Sequence, residues 1–169
     1  MRADRERAVL LVVDLQEGLL SVLSDPAAVA RHATHLLRAA RELAIPALVT
    51  TRDVPGLGAT LPAALAEAPG VEPIDKTSFS AFGSPELVAR LRAWEGRRQL
   101  LVCGAESHVC VVRTVLGARR RGYEVFVAAD AVGAIAEENH RRGLRRMERA
   151  GAALRPTDGL IAELRRPLD

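Results

Sequence analysis

Leu100-Leu101-Val102-Cys103-Gly104-Ala105-Glu106-Ser107-His108-Val109-Cys110-Val111-Val112 is the stretch on which the fold of this chain turns. An apolar run stops at a glycine, passes through a short polar turn and reaches a cysteine where a helical pattern, Val111 to Arg121, begins. Strand, tight turn and helix in that order make one unit of a parallel α/β sheet. A thiol at a helix start also has chemical meaning. The unpaired N–H groups and the dipole there lower a thiol pKa, and the same N–H groups can hold an oxyanion. Cys110 is therefore a candidate nucleophile, expected to ionise readily. Cysteine is equally a common core residue, and Cys103, inside the apolar run, takes that role.

Outward from this stretch, strands and helices alternate. Ala8 to Val13 reads as the first strand. Asp25-Pro26 opens a helix, with a capping aspartate, a proline in the first turn, and Val29, Ala33, Leu36, Leu37, Ala40 and Leu43 at helical spacing. Ile45 to Thr51 is the second strand, followed by the Pro- and Gly-rich loop Arg52 to Gly58. Val71 to Ile74 is a short third strand, Ser84-Pro85-Glu86 starts a helix, and Gln99 to Cys103 is the fourth strand. Tyr123 to Ala128, a helix over Glu137 to Ala150, a strand over Gly151 to Leu154 and a last helix over Thr157 to Arg165 complete the chain. This alternation predicts a three-layer α/β/α fold around a six-stranded parallel sheet. Residue pattern alone permits strand order 3-2-1-4-5-6 or a flavodoxin-like order.

Two further positions stand out. Asp14 closes a near-continuous apolar strand, which places a carboxylate at the sheet edge where open α/β folds bind ligands, although a single aspartate there can equally be a turn or cap residue. Lys76, in Asp75-Lys76-Thr77-Ser78-Phe79-Ser80, is the one lysine in a chain with 24 basic residues. A compact amine kept where every other cation is arginine suggests a need that a guanidinium cannot meet.

Val12-Val13-Asp14-Leu15-Gln16, Asp75-Lys76-Thr77-Ser78-Phe79-Ser80 and Gly104-Ala105-Glu106-Ser107-His108-Val109-Cys110-Val111 together resemble the isochorismatase-like family of cysteine hydrolases, with order and spacing matching over about residues 7 to 160. The resemblance implies the order 3-2-1-4-5-6, a catalytic triad of Asp14, Lys76 and Cys110, and a cis peptide at Ala105-Glu106. It also implies an oxyanion hole from the backbone of Glu106 and Cys110, and hydrolysis of an amide-like C–N bond through a thioester. Gln16, Thr51, Phe79 and His108 are candidates for the substrate pocket. His108, two residues from Cys110, is a tempting base, but in the family the base is the aspartate. The nicotinamidase branch builds a metal site from an Asp-x-His after the second strand. Here that segment reads Thr51-Arg52-Asp53-Val54-Pro55, with no histidine until His108. Neither metal nor organic cofactor is expected, so chelation should leave activity intact; loss on chelation, restored by zinc or iron, would overturn this.

Composition bounds the rest. With 169 residues and 49% hydrophobic content, residues 1–169 suit one domain whose core needs no staples. Two cysteines seven positions apart do not make a disulfide framework, and the apolar run ending at Asp14 is too short for a signal segment or a membrane span. A cytoplasmic setting without membrane attachment is expected. The net charge of +3 raises nucleic acid as a partner, but the arginines interleave with glutamates in helical patterns and aromatic content is 3%, so solvated helix faces explain the charge better. The expected partners are a small-molecule substrate and, by resemblance, further copies of the chain in a dimer or larger homo-oligomer. A non-catalytic domain that binds a partner, and a redox sensor, remain alternatives.

Overall fold

The computed structural model describes residues 1–166. β1 (Ala8–Val13) is buried at all six positions, the signature of a strand covered on both faces. After the short turn α1 (Glu17–Leu20), α2 (Pro26–Glu42) begins with Pro26 in its first turn, and the Asp25 side chain accepts from the Ala28 N–H. β2 (Ala47–Thr51) leads into two single turns, α3 (Val54–Leu57) and α4 (Pro62–Leu65), within the expected loop region. β3 (Ile74–Asp75) is two residues long and lies later than the expected Val71 to Ile74. α5 (Pro85–Ala93) is capped by the Ser84 side chain, which accepts from the Leu87 N–H. β4 (Gln99–Ala105) runs two residues past the expected end. A π-helical turn over Ser107–Val111 then joins it to α6 (Val112–Arg120). β5 (Glu124–Gly133), α7 (Glu137–Arg149), β6 (Ala153–Arg155) and α8 (Thr157–Arg165) follow.

The six strands form one sheet in the order β3-β2-β1-β4-β5-β6, every pairing parallel. The side-chain period of two divides β1 between two cores. Leu10 and Val12 pack with Leu36 and Leu37 of α2 and Leu160 and Leu164 of α8. Val9, Leu11 and Val13 pack with Leu87 and Leu91 of α5, Val115 of α6 and Met147 of α7. β5 departs from the sequence expectation by running on to Gly133. It achieves this by looping out, since Val127 pairs with Val102 and the next paired residue, Val132, with Gly104. Asp130, in the looped segment, accepts from the Thr157 N–H (2.8 Å) and hydroxyl (2.6 Å), which ties the start of α8 to the sheet.

Successive connections progress outward in opposite directions from β1 and β4, so the crevice between their carboxyl ends is the topological switch point. Gly104 sets how closely these strands approach. Its φ is +123°, and a Cβ there would lie 1.9 Å from the Val13 carbonyl oxygen. Gly104→Ala should therefore cost about 3 kcal/mol or more, or prevent folding, in urea unfolding. A loss below about 1 kcal/mol would mean that β1 can part from β4 without consequence.

Candidate active site

Asp14 follows β1 with φ +48°, a conformation aspartate tolerates better than most residues. Its N–H donates to the Thr50 carbonyl (3.1 Å), which fixes it beside β2. Its carboxylate then has two donors. The Thr50 hydroxyl reaches Oδ1 at 2.8 Å, and the Lys76 ammonium reaches Oδ2 at 2.8 Å. Lys76 arrives from beyond β3, where its N–H donates to the Thr51 carbonyl (2.9 Å), and its Nζ also donates to the Ser78 carbonyl (2.9 Å). Asp14 is 0% exposed, and Lys76 and Cys110 are each 3% exposed. A buried ion pair of this kind persists only because both partners are hydrogen-bonded.

Cys110 lies in the π-helical turn, on the face of the sheet that carries α5, α6 and α7. The peptide Ala105-Glu106 that precedes this turn is cis. The Glu106 carbonyl accepts from the Val109 N–H (3.1 Å) and the Val111 N–H (3.2 Å), which gives the turn its wide pitch. From α7, Gly143 lies so close that a Cβ would stand 2.8 Å from the Ser107 carbonyl oxygen, and His140 Nδ1 is 3.1 Å from the Ser107 hydroxyl.

The thiol is not the easily ionised group that its position in the sequence suggests. Burial, and next the charge of Asp14, push Cys110 up to about 11 against the smaller opposing effects of Lys76 and Arg52. Desolvation and a facing carboxylate outweigh the dipole of one helix. The alkylation rate of Cys110 should therefore climb about tenfold per pH unit from pH 7 towards 10. In Lys76→Ala the curve should move to still higher pH, because a lowering influence is gone. A plateau below the free-thiol value of about 8.5 would contradict this arrangement.

The other expected site residues divide. Gln16 is fully buried and its amide is committed to backbone: Nε2 donates to the carbonyls of Arg52 (3.0 Å) and Gly58 (2.7 Å), and Oε1 accepts from the Arg52 N–H (2.9 Å). It braces the loop after β2. The Thr51 hydroxyl donates to Asp75 (3.0 Å) between β2 and β3. Phe79 is 40% exposed, with the guanidinium carbons of Arg52 and Arg113 at 4.9 and 4.7 Å from its ring centroid. His108 Nδ1 is 3.9 Å from Glu106 Oε2 and is buried without a hydrogen bond. Cys103 packs in the opposite core from Cys110, with burial raising its thiol to about 12, which removes it as a resolving partner for disulfide chemistry.

Thr50, Ser78, Arg52 and Arg113 were not singled out by the sequence. Arg52 directly follows β2 and Arg113 lies one helical turn after Cys110, so strand ends and helical spacing were the available signals. A buried polar trio, not a large cavity, marks the site. The cleft of about 240 Å³ lined by Phe82, Leu91, Arg98 and Tyr123, for example, lies away from the thiol. Among the described residues no cluster of three His, Cys, Asp or Glu side chains is placed to hold a metal, and no helix is long and apolar enough to cross a membrane.

A doubly wound sheet that gathers a carboxylate, an ammonium and a thiol at its switch point has the layout of an α/β enzyme. The chain belongs to the isochorismatase family, whose domain model matches residues 8–158. An isochorismatase domain-containing protein 2 from Danio rerio is 32% identical over 163 residues, covering 96% of this chain and 81% of the relative. The ycaC gene product of Escherichia coli, described as an octameric hydrolase of unknown specificity, superposes with a TM-score of 0.93 at 32% identity, covering 99% of this chain and 83% of that one. The MAR1 ribonuclease of Caenorhabditis elegans does so with a TM-score of 0.91 at 32% identity, covering 97% and 84%.

Proposed function

We propose that the protein is a cysteine hydrolase that cleaves an amide-like C–N bond of a small molecule. The observation that carries this reading is the buried Asp14–Lys76 pair, whose carboxylate charge acts on the Cys110 thiol. At rest the thiol is protonated. As Cys110 Sγ attacks the carbonyl carbon, Asp14 takes the thiol proton, so thiolate character develops only in the transition state. Lys76 stabilises the negative charge that the trio carries through this step. Backbone N–H groups of Glu106 and Cys110 hold the oxyanion. When the C–N bond breaks, Asp14 passes its proton to the departing amine and leaves a thioester on Cys110. Water then attacks the thioester carbonyl as Asp14 accepts its proton; the C–S bond breaks, Asp14 returns that proton to the Cys110 sulfur, and the acid product leaves.

The scope of the proposal follows the same chemistry. The whole of residues 1–169 acts as one catalytic domain in the cytoplasm, without metal or cofactor, assembled as a homo-oligomer, for which the octameric neighbour from E. coli is the support. A nucleic-acid substrate, which the name of the C. elegans neighbour raises, suits a thiol–carboxylate pair less well than a carbonyl carbon does. Screening small amides with mass spectrometric detection tests the reading: an acyl adduct on Cys110 that decays to acid product supports it. If no amide acylates the thiol and alkylating agents leave it untouched at every pH, the protein is a non-catalytic module that binds a partner.

A further inference from the structure

Several arginines of this chain face carboxylates, as Arg38 and Arg41 face Glu67, Arg90 faces Glu86, and Arg155 faces Glu163. Arg52 and Arg113 do not. Among the described residues neither has a carboxylate within ion-pair distance, and both guanidinium groups stack on the ring of Phe79. Stacking uses the flat face of a guanidinium and leaves its N–H edge open to planar anions. The Nε of Arg52 is in addition buried without a hydrogen-bond partner, a state that costs about 1–3 kcal/mol unless a ligand relieves it. Two positive charges brought to one aromatic ring also repel each other, and an anion that reaches both would offset that repulsion.

Their place in the chain ties this cluster to the thiol. Arg52 leaves the end of β2, Phe79 lies three residues after Lys76, and Arg113 lies three residues after Cys110. The positive charge of Arg52 is felt at the Cys110 sulfur. Phe79, 40% exposed, makes the cluster reachable from solvent, whereas Asp14, Lys76 and Cys110 are buried. A small molecule whose amide carbonyl reaches Cys110 would therefore present its remaining group to the two guanidiniums.

We propose that Arg52 and Arg113, both seated against Phe79, form an anion clamp at the rim of the Cys110 site, so that the substrate is a small amide carrying a carboxylate. This rests on the hydrolase reading for the word substrate, but the clamp itself does not need turnover. Its test compares iodoacetate, a carboxylate, with iodoacetamide, its neutral isostere, with modification read at Cys110 by peptide mass spectrometry. Normalised to glutathione under the same conditions, the iodoacetate-to-iodoacetamide rate ratio should be raised about fivefold or more in the native chain. It should fall back towards the glutathione value in Arg113→Gln, in Arg52→Gln/Arg113→Gln, and at high salt. A native ratio no higher than that of glutathione, or one unchanged in folded Arg113→Gln, overturns the proposal. Thermal shift supplies a readout that needs no reactive thiol. Succinamate should raise the Tm of the native chain more than succinamide does, and Arg113→Gln, an exposed position, should lose that difference. If Cys110 reacts with neither reagent, the hydrolase reading fails while the thermal shift still decides the clamp: equal shifts from the two compounds overturn it.

Discussion

Replacing Cys110 with alanine is expected to reduce kcat/KM on an amide substrate by about 10⁴-fold or more, while leaving the fold in place. The size follows from what the sulfur does. It supplies the bond that splits one difficult hydrolysis into two easier steps, and Asp14 and Lys76 cannot replace that bond. The fold should survive because alanine keeps the helical turn, and the lost sulfur removes a modest part of the core around Val111 and Val115. Far-ultraviolet circular dichroism and urea unfolding would check this. Stability should change by no more than about 1–2 kcal/mol. Full activity in Cys110→Ala would end the thioester mechanism, and the Asp14–Lys76 pair would then have to act directly on water.

The second large effect concerns stability as well as rate. Asp14→Asn leaves the Lys76 ammonium buried with neutral acceptors and no opposite charge, and Lys76→Met leaves the Asp14 carboxylate with the Thr50 hydroxyl and no opposite charge. Each single change should cost about 3–5 kcal/mol, because breaking a buried pair strands a charge that water cannot reach. The double variant Asp14→Asn/Lys76→Met strands no charge. It should be markedly less destabilised than the sum of the singles, with a coupling of at least about 2 kcal/mol. All three variants should lose turnover by about 10²-fold or more, so that stability recovers in the double variant and activity does not. Additive losses, within about 0.5 kcal/mol in urea unfolding, would mean that the two side chains are not coupled.

How much of this could be read from the sequence depends on the range of the interactions involved. β1 was legible because burial on both faces leaves an unbroken apolar run, and α2 and α5 because Asp25-Pro26 and Ser84-Pro85 are local capping signals. Strand order was not legible from periodicity, which says that β1 is covered and not by which neighbours; the family resemblance supplied it. The start of β3 was misplaced by three residues because a two-residue edge strand carries almost no pattern. The extension of β5 was missed because its ladder is interrupted, and the looped residues broke the apolar alternation. At the site, the family motifs named Asp14, Lys76 and Cys110, and the structure brings the three together. The thiol's electrostatics went the other way: a helix start is visible in sequence, whereas the carboxylate facing it comes from 96 residues away. Arg52 and Arg113 were hidden for the same reason, since only the fold shows which side chains meet at Phe79.

The brace formed by Gln16 has a consequence for how such a site can diversify. Its amide grips the Arg52 N–H, the Arg52 carbonyl and the Gly58 carbonyl, all of them backbone groups. Asp53, Val54, Pro55 and Gly56 between those grips are exposed. A clasp that engages only the main chain is indifferent to the side chains between its jaws, so the exposed residues 54–56 behave as an interchangeable cassette seated beside an unchanging reaction centre, whereas Leu57 packs against the core and Asp53 holds φ +48°. Gene libraries that randomise those three codons while sparing Gln16, Asp53, Leu57 and Gly58 would explore new selectivities on an intact chassis.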